Sequence, residues 1–366
     1  MKSTVDAKAF SAALDKVSKV LRKSAVPIIE QICVRFEGDR CICTATDLIT
    51  WVSVELPAQG DVFSFAFTKT RDVVKVSRFF DGNLVVELRE LGGAKKESPR
   101  ITLTCGYRAV EYDAYPGDDY PPAPQTADED VFTTNAGILL KRVSRVCYAV
   151  DKKASWTDTY PIQACIQFNG TQVYALDGAR AACDTDETLV FPRAFLSPFE
   201  SVRYLKLFGD RLVSFRFGKR NLCVADGQVS IICPLVGKEP FHMQSAVPSQ
   251  ITEEFYVQPK AFLAELRYMK ECVAKIKLPY VDFINGEMSM ADSIQKCRTA
   301  VALEGESKTP ILFNLHHMID AIRQFEGEER VRVKVSSCIA PLIIDAEGRS
   351  DYALVCPIKP KKADAA

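Results

Sequence analysis

Three aspartates are, by type, the residues best suited to metal or acid–base chemistry. Asp47 ends FEGDRCICTATD, Asp177 ends FNGTQVYALD and Asp292 ends FINGEMSMAD. A metal-dependent nuclease would need such carboxylates gathered around one cation. These recur singly, at the same point of a repeated strand-and-turn pattern, which makes them turn formers whose side chains bond their own backbone. Thirteen cysteines suggest a second chemistry, but the count is odd and no Cys-x-x-Cys occurs, so neither a disulfide framework nor a zinc site is implied. Cys41, Cys43, Cys105, Cys223 and Cys233 sit in apolar strand-like runs and read as small buried hydrophobes. His242, His316 and His317 are too few and scattered for a metal site. With no phosphate-binding loop, Gly-x-Ser-x-Gly or His-Glu-x-x-His present, the expectation is a non-enzyme with no catalytic residues, no metal and no cofactor.

What remains is electrostatic. The 366-residue chain has 47 basic and 47 acidic residues, a net charge of zero. The balance conceals a segregation. Six predicted helix windows (7–23, 68–80, 135–153, 192–206, 259–277 and 314–325) hold 23 Lys and Arg against 7 Asp and Glu. In 68–80, Arg71, Lys75 and Arg78 fall on one face, while Val73, Val76 and Phe80 form the apolar face. In 7–23 the stripe Phe10, Ala13, Leu14, Val17 and Leu21 opposes Lys8, Lys16, Lys19, Arg22 and Lys23. In 135–153, Leu139, Val143, Val146 and Val150 oppose Lys141, Arg145 and Lys152. Basic faces of this kind attract an extended polyanion.

The elements that must carry these faces are repeated. VDAKAFSAAL from Val5 matches VQPKAFLAEL from Val257, with a weaker copy, FTTNAGILLKRV, from Phe132. A second helix follows each, announced by Phe67, Phe191 and Phe313. The periodicity predicts three domains of about 122 residues, each a doubled half, at 1–124, 125–249 and 250–366. Within them, strands are expected at 28–36, 41–45, 51–56, 84–88, 101–105, 108–112, 213–217, 229–234 and 352–357, with Asp6 capping the first helix. A Pro-rich stretch leading to Asp128-Glu-Asp and a connector at 247–254 mark the boundaries, and a loose tail begins at about 360. Composition is globular, and no apolar run has the ~18 residues that a membrane span needs. A cytoplasmic protein with no membrane partner is expected.

LRKSAVPII, the Thr46-Asp47 turn, YPGDDYP at 115–121, ALDGAR at 175–180 and YALVCPIK at 352–359 together resemble the bacterial DNA polymerase III β subunit family, the sliding clamps. Their order and spacing match over essentially the whole length, in a divergent sequence. The resemblance implies an α+β fold of three tandem clamp domains, with helices inside and antiparallel sheets outside. It further implies a homodimeric ring around duplex DNA that serves as a processivity factor and binds polymerase and clamp loader through short peptides. The DNA-facing candidates are Arg22, Lys23, Arg71, Lys75, Arg78, Lys141, Arg145, Lys152, Arg203, Lys206 and Lys270. The partner-peptide pocket maps to Leu176, Gly178, Ala179, Arg180, Ala181, Pro240, Leu354, Cys356, Pro357 and Ile358. The dimer contact maps to Val110 and Tyr112 on one side and Cys272 and Val273 on the other. Leu176, Ala179, Ala181 and Cys356 replace the family's usual Thr, His, Leu and Met, which predicts a deeper, less polar slot. Two rivals share these features in part: a clamp paralogue or DNA-binding scaffold serving repair, and the nuclease considered above.

Overall fold

The computed structural model describes residues 1–89, 98–126, 131–272, 279–291 and 296–359. One element order recurs three times along them. First come β1 (Lys2–Asp6), α1 (Ala7–Val17), β2 (Cys33–Glu37), β3 (Arg40–Thr46), β4 (Trp51–Gly60), β5 (Val62–Phe67), α2 (Thr70–Ser77), β6 (Asn83–Arg89), β7 (Arg100–Cys105) and β8 (Arg108–Pro116). The second set is β9 (Val131–Asn135), α3 (Ala136–Val146), β10 (Cys165–Asn169), β11 (Gln172–Leu176), β12 (Arg180–Thr185), β13 (Phe195–Pro198), α4 (Phe199–Val202), β14 (Leu212–Phe217), β15 (Asn221–Ala225) and β16 (Val229–Pro234). The third is β17 (Glu253–Val257), α5 (Pro259–Cys272), β18 (Tyr280–Ile284), β19 (Glu287–Ala291), β20 (Lys296–Ala300), β21 (Glu304–Gly305), β22 (Ile311–Asn314), α6 (Leu315–Arg323), β23 (Val331–Val335), β24 (Leu342–Asp345) and β25 (Asp351–Val355). Apart from the two-residue β21, each set is strand, helix, four strands, helix, three strands.

Each set makes two antiparallel half-sheets of four strands. The first strand joins the last three, and the middle four pair among themselves, as in β1-β6-β7-β8 and β5-β2-β3-β4. Contacts divide the chain into two units, Met1–Leu140 with Glu200–Leu235 and Lys141–Phe199 with Val236–Ala366. In the first unit, β4 pairs antiparallel with β16 (Val54↔Val229 to Trp51↔Ile232), joining three half-sheets into one of 12 strands. In the second, β12 pairs with β25 (Arg180↔Val355 to Asp184↔Asp351), joining two half-sheets and β21 into a sheet of nine strands beside a separate one of four. The middle set contributes one half-sheet to each unit, so the division follows these seams and not the repeats.

Burial follows the helical periodicity. Phe10, Ala13, Leu14 and Val17 of α1 are buried, as are Val73 and Val74 of α2, Leu139, Val143 and Val146 of α3, and Phe262, Leu263, Leu266 and Met269 of α5. Asp6 caps α1 by accepting from the Ala9 amide at 2.8 Å. Several expectations need correction. The helices expected to reach Lys23 and Lys153 stop at Val17 and Val146 and continue only as single 3-10 turns. Residues 28–30 are also a 3-10 turn, and the strand starts at Cys33. The window 192–206 is a strand, then the one-turn α4, then a 3-10 stretch from Arg203 to Phe208. The loop centre at 90–97, the acidic linker at 127–130, Asp292 and the tail from 360 lie outside the described residues.

Candidate nucleic-acid interface and partner groove

Each unit carries exposed cations, and the second also holds an apolar cluster. In the first unit, Lys23, Arg71, Lys75 and Lys206 are exposed and have no carboxylate within 4.0 Å among the described residues. Arg22 and Arg203 each donate to the Tyr204 hydroxyl at 3.1 Å, and the Arg203 guanidinium lies 5.0 Å from that ring's centroid. Tyr204 is itself buried, so one fixed phenol holds two cations that come from segments 182 residues apart. Arg78 is exposed but bonds Asp15 at 2.9 Å, which ties α2 to α1 and offsets its charge.

In the second unit, Lys141, Lys152 and Lys270 are exposed and likewise without a carboxylate partner among the described residues. Arg145 differs. It lies 3.3 Å from Asp184 and 3.7 Å from Asp351, carboxylates only 1% and 4% exposed. Arg142, 3% exposed, donates to the Thr171 and Asp184 carbonyls, and Arg349 binds Asp351 at 2.7 Å. The Ser350 hydroxyl donates to Asp184 at 2.7 Å. This is a buried ion cluster across the β12–β25 seam, and burial presses the Arg142 pKa down despite Asp184. Arg145, expected as a free basic-face residue, has its charge committed here.

The groove residues all belong to the second unit. Asp177 shapes the turn: its Oδ1 accepts from the Ala179 and Arg180 amides, each at 2.9 Å. Gly178 has φ +88°, which a side chain would strain. Asp47 plays the same part in its own turn, accepting from Ile49 and Thr50 at 3.1 and 2.8 Å, which bears out the turn reading for two of the three aspartates. Arg180 is held on three sides, by Asp177 at 2.9 Å, Asp320 of α6 at 2.6 Å, and the Tyr148 ring 5.8 Å from its guanidinium. The Cys356 amide donates to the Ala179 carbonyl at 2.9 Å, bringing the terminal strand against the turn.

Leu176, Ala181 and Leu354 join Tyr174, Cys183, Met243 and Ile343 in one buried cluster, with Ile162, Phe241, Ala246, Val247 and Tyr352 half-buried around it. The connector that begins at Pro240 is laced to the sheet, since Tyr174 donates to the Phe241 carbonyl at 2.8 Å and the Phe241 amide donates to the buried Gln167 at 2.7 Å. Met243, 3% exposed, packs in the same buried cluster as Ala181 and Leu354. Phe241, Met243 and Val247 were not anticipated; their signal was an apolar triplet just after a proline already singled out.

At the positions expected for a dimer contact, Val110 and Tyr112 are half-buried on β8, and Cys272 is half-buried at the end of α5. Val273 lies outside the described residues. Most cysteines are buried, with Cys33 and Cys165 pushed up to about 12 by burial, as inert core thiols should be. Among the described residues no cluster of His, Cys, Asp or Glu could hold a metal, and no helix is long and apolar enough to cross a membrane.

No family model matches the chain. The beta sliding clamp of Caulobacter vibrioides (strain NA1000 / CB15N) is 24% identical over 151 residues, 41% of this chain and 40% of that protein's length. Solved structures match far more widely. The DNA polymerase sliding clamp of Pseudomonas aeruginosa, determined with a ligand, superposes with a TM-score of 0.83 over 98% of this chain and 100% of its own, at 16% identity. The DNA polymerase III beta subunit of Thermotoga maritima gives 0.80 over 98% and 100%, at 18% identity. The sliding clamp of Bacillus subtilis gives 0.79 over 99% and 100%, also at 18% identity. Over almost its entire length, this chain has the fold of the DNA polymerase III beta subunits, the sliding clamps.

Proposed function

We propose that the chain is a non-catalytic DNA sliding clamp: two copies close into a ring around duplex DNA and tether a polymerase through a short peptide. The three domains are 1–124, 125–249 and 250–366. The observation that carries the reading is the seam pattern. Each join between successive repeats is one antiparallel strand pairing, β4 with β16 and β12 with β25. By the same rule β20 should meet the counterpart of β16 and β25, which is β8. β20 pairs only with β19, and Arg108–Asp113 of β8 pair only with β7, among the described residues. A strand edge of each kind at opposite ends of the repeat series lets two copies close on each other through two further like seams.

The exposed, unpaired cations supply the DNA surface. They attract phosphates without reading bases, so the duplex is held independently of sequence. Glu37, Asp39 and Glu55, three carboxylates around the one Arg40, would keep that attraction off the outer sheets. The half-buried rim of Ile162, Phe241, Ala246 and Val247 around the Asp177 turn is the apolar anchor site for a partner peptide.

Retention on circular DNA tests the reading. The parent should stay on a closed circle and run off once the circle is cut, since a ring is held by topology and not by affinity. Arg71→Glu and Lys75→Glu together should reduce loading and flatten its salt dependence while leaving the dimer intact, each lost phosphate contact removing a slope of about 0.9. Equal loss from circular and linear DNA would overturn the clamp reading.

A further inference from the structure

Arg22 and Arg203, both in the first unit, are held beside each other with no negative charge between them. Each donates through Nη2 to the Tyr204 hydroxyl at 3.1 Å, so the two nitrogens are no farther apart than twice that distance. Neither arginine has a carboxylate within 4.0 Å among the described residues. Like charges this close repel, and a neutral phenol oxygen offsets that only in part. The mount is rigid. Tyr204 is 2% exposed, the Arg203 guanidinium lies 5.0 Å from its ring centroid, and the buried Thr50 and Ser201 hydroxyls, 2.7 Å apart, tie α4 to the Asp47 turn. Two donors have no acceptor among the described residues. One is the buried Nε of Arg203, and the other is the proton of the Tyr204 hydroxyl, whose oxygen accepts from both arginines.

We propose that Arg22, Arg203 and Tyr204 form a pincer for a single phosphate group of the duplex backbone, so that the two arginines act as one contact and not two. Tyr204 is the positioning residue. It fixes both guanidinium groups before the anion arrives, and less side-chain freedom is lost on binding. Each guanidinium commits one N–H donor to the phenol and keeps the others of its fork for the two free oxygens of a phosphodiester, the paired geometry that arginine makes with phosphate. The anion supplies the charge that the pair lacks. Arg22 is exposed, so the site opens to solvent. Lys23 directly follows one arm and Lys206 lies three residues beyond the other; both are exposed, and they extend the positive surface past one phosphate, which favours a polyanion over a free ion. The identity of the ligand rests on the clamp reading; the pairing of the arginines does not.

Anisotropy of a short labelled linear duplex, titrated with the full chain at several salt concentrations, tests the pincer apart from ring closure. Arg22→Gln with Arg203→Gln should lower the salt slope by about 0.9, the value for one phosphate, where two independent contacts would lower it by about 1.8. Each single substitution should weaken binding several-fold, and the double variant should lose much less than the product of the two single losses. Tyr204→Phe keeps the ring and both charges; it should weaken binding several-fold with the slope unchanged. If that variant melts below the parent, the cycle between the two arginines still decides. A slope change near 1.8 with multiplicative losses, or Tyr204→Phe binding as the parent does, would overturn the pincer. Inorganic phosphate that displaces duplex from the parent better than chloride of equal ionic strength, but not from the double variant, would assign the site to a free ion and overturn the duplex assignment. Retention on circular DNA with independent arginines keeps the clamp and removes the pincer. Coupled arginines in a chain lost equally from circular and linear DNA keep the pincer and remove the ring, and a parent that binds no duplex removes both.

Discussion

At the scale of single residues, the second unit places ionisable groups where their charge decides stability. Asp184 is 1% exposed and receives Arg142, Arg145 and Ser350, so removing it strands the buried Arg142 guanidinium without its paired carboxylate, whereas Arg145 keeps Asp351. Asp184→Ala should cost about 3–5 kcal/mol, because breaking a buried pair leaves its partner desolvated; denaturant melts would read it, and a loss below about 1 kcal/mol would mean that water reaches the cluster. His317 gives a pH dependence. Burial first, and then the Arg180 guanidinium, lower its pKa from 6.5, outweighing the pull of Asp177 and Asp320, while the neighbouring His316 also lowers it. The folded chain therefore binds fewer protons than the unfolded one, and acid favours unfolding. The contribution is complete above the unfolded value and is lost as pH falls through the lower folded one. Thermal melts should decline as pH falls below about 6.5, and His317→Gln should flatten that decline; an unchanged profile would assign the acid sensitivity to other groups. None of this was legible in the sequence. Arg145 fits the basic face of its helix by spacing, but Asp184 and Asp351, which claim it, lie far along the chain and on strands.

At the scale of elements, local patterns were read well and terminations badly. The strand at Val229–Pro234 and the buried stripes of α1 and α3 follow directly from alternation and helical period. β1 was missed because KSTVD is short and mostly polar; it is a strand because it pairs with β6 and with the end of β4, partners that no local window contains. α1 was drawn too long because Leu21 and Arg22 keep the period after the backbone has tightened into a 3-10 turn. In the middle repeat, the strand before α4 starts at Phe195, so Phe191 marks the helix less closely than Phe67 and Phe313 do. The Asp6 cap was legible, and its value is testable. Asp6→Ala should lower stability by about 1 kcal/mol, while Asp6→Asn, which keeps the accepting oxygen, should recover most of it. Equal loss from both would shift the credit from the Ala9 hydrogen bond to the carboxylate's charge at the helix start.

At the scale of the whole molecule, one pairing rule does most of the building. Six half-sheets of the same strand order are linked by two like seams, and applying the rule once more predicts that β8 and β20 pair between copies. β8 presents the exposed Glu111 and Asp113, both within ion-pair distance of Arg100 of β7, and β20 presents the exposed Lys296 and Arg298. The apolar part of the β8 edge is Val110 and Tyr112, half-buried in a single copy and therefore available to be covered further. Val110→Asp with Tyr112→Asp would place two unpaired charges in that contact beside two existing carboxylates. The dimer should weaken at least about tenfold, which corresponds to about 1.4 kcal/mol and is modest for a desolvated charge. Both side chains are partly exposed in the single copy, so its circular dichroism and melting point should change little, which separates lost assembly from lost folding. Sedimentation equilibrium decides the question. Monomers from the variant and dimers from the parent would support the β8–β20 seam, whereas an undiminished dimer would move the contact elsewhere and break the extension of the seam rule from one chain to two.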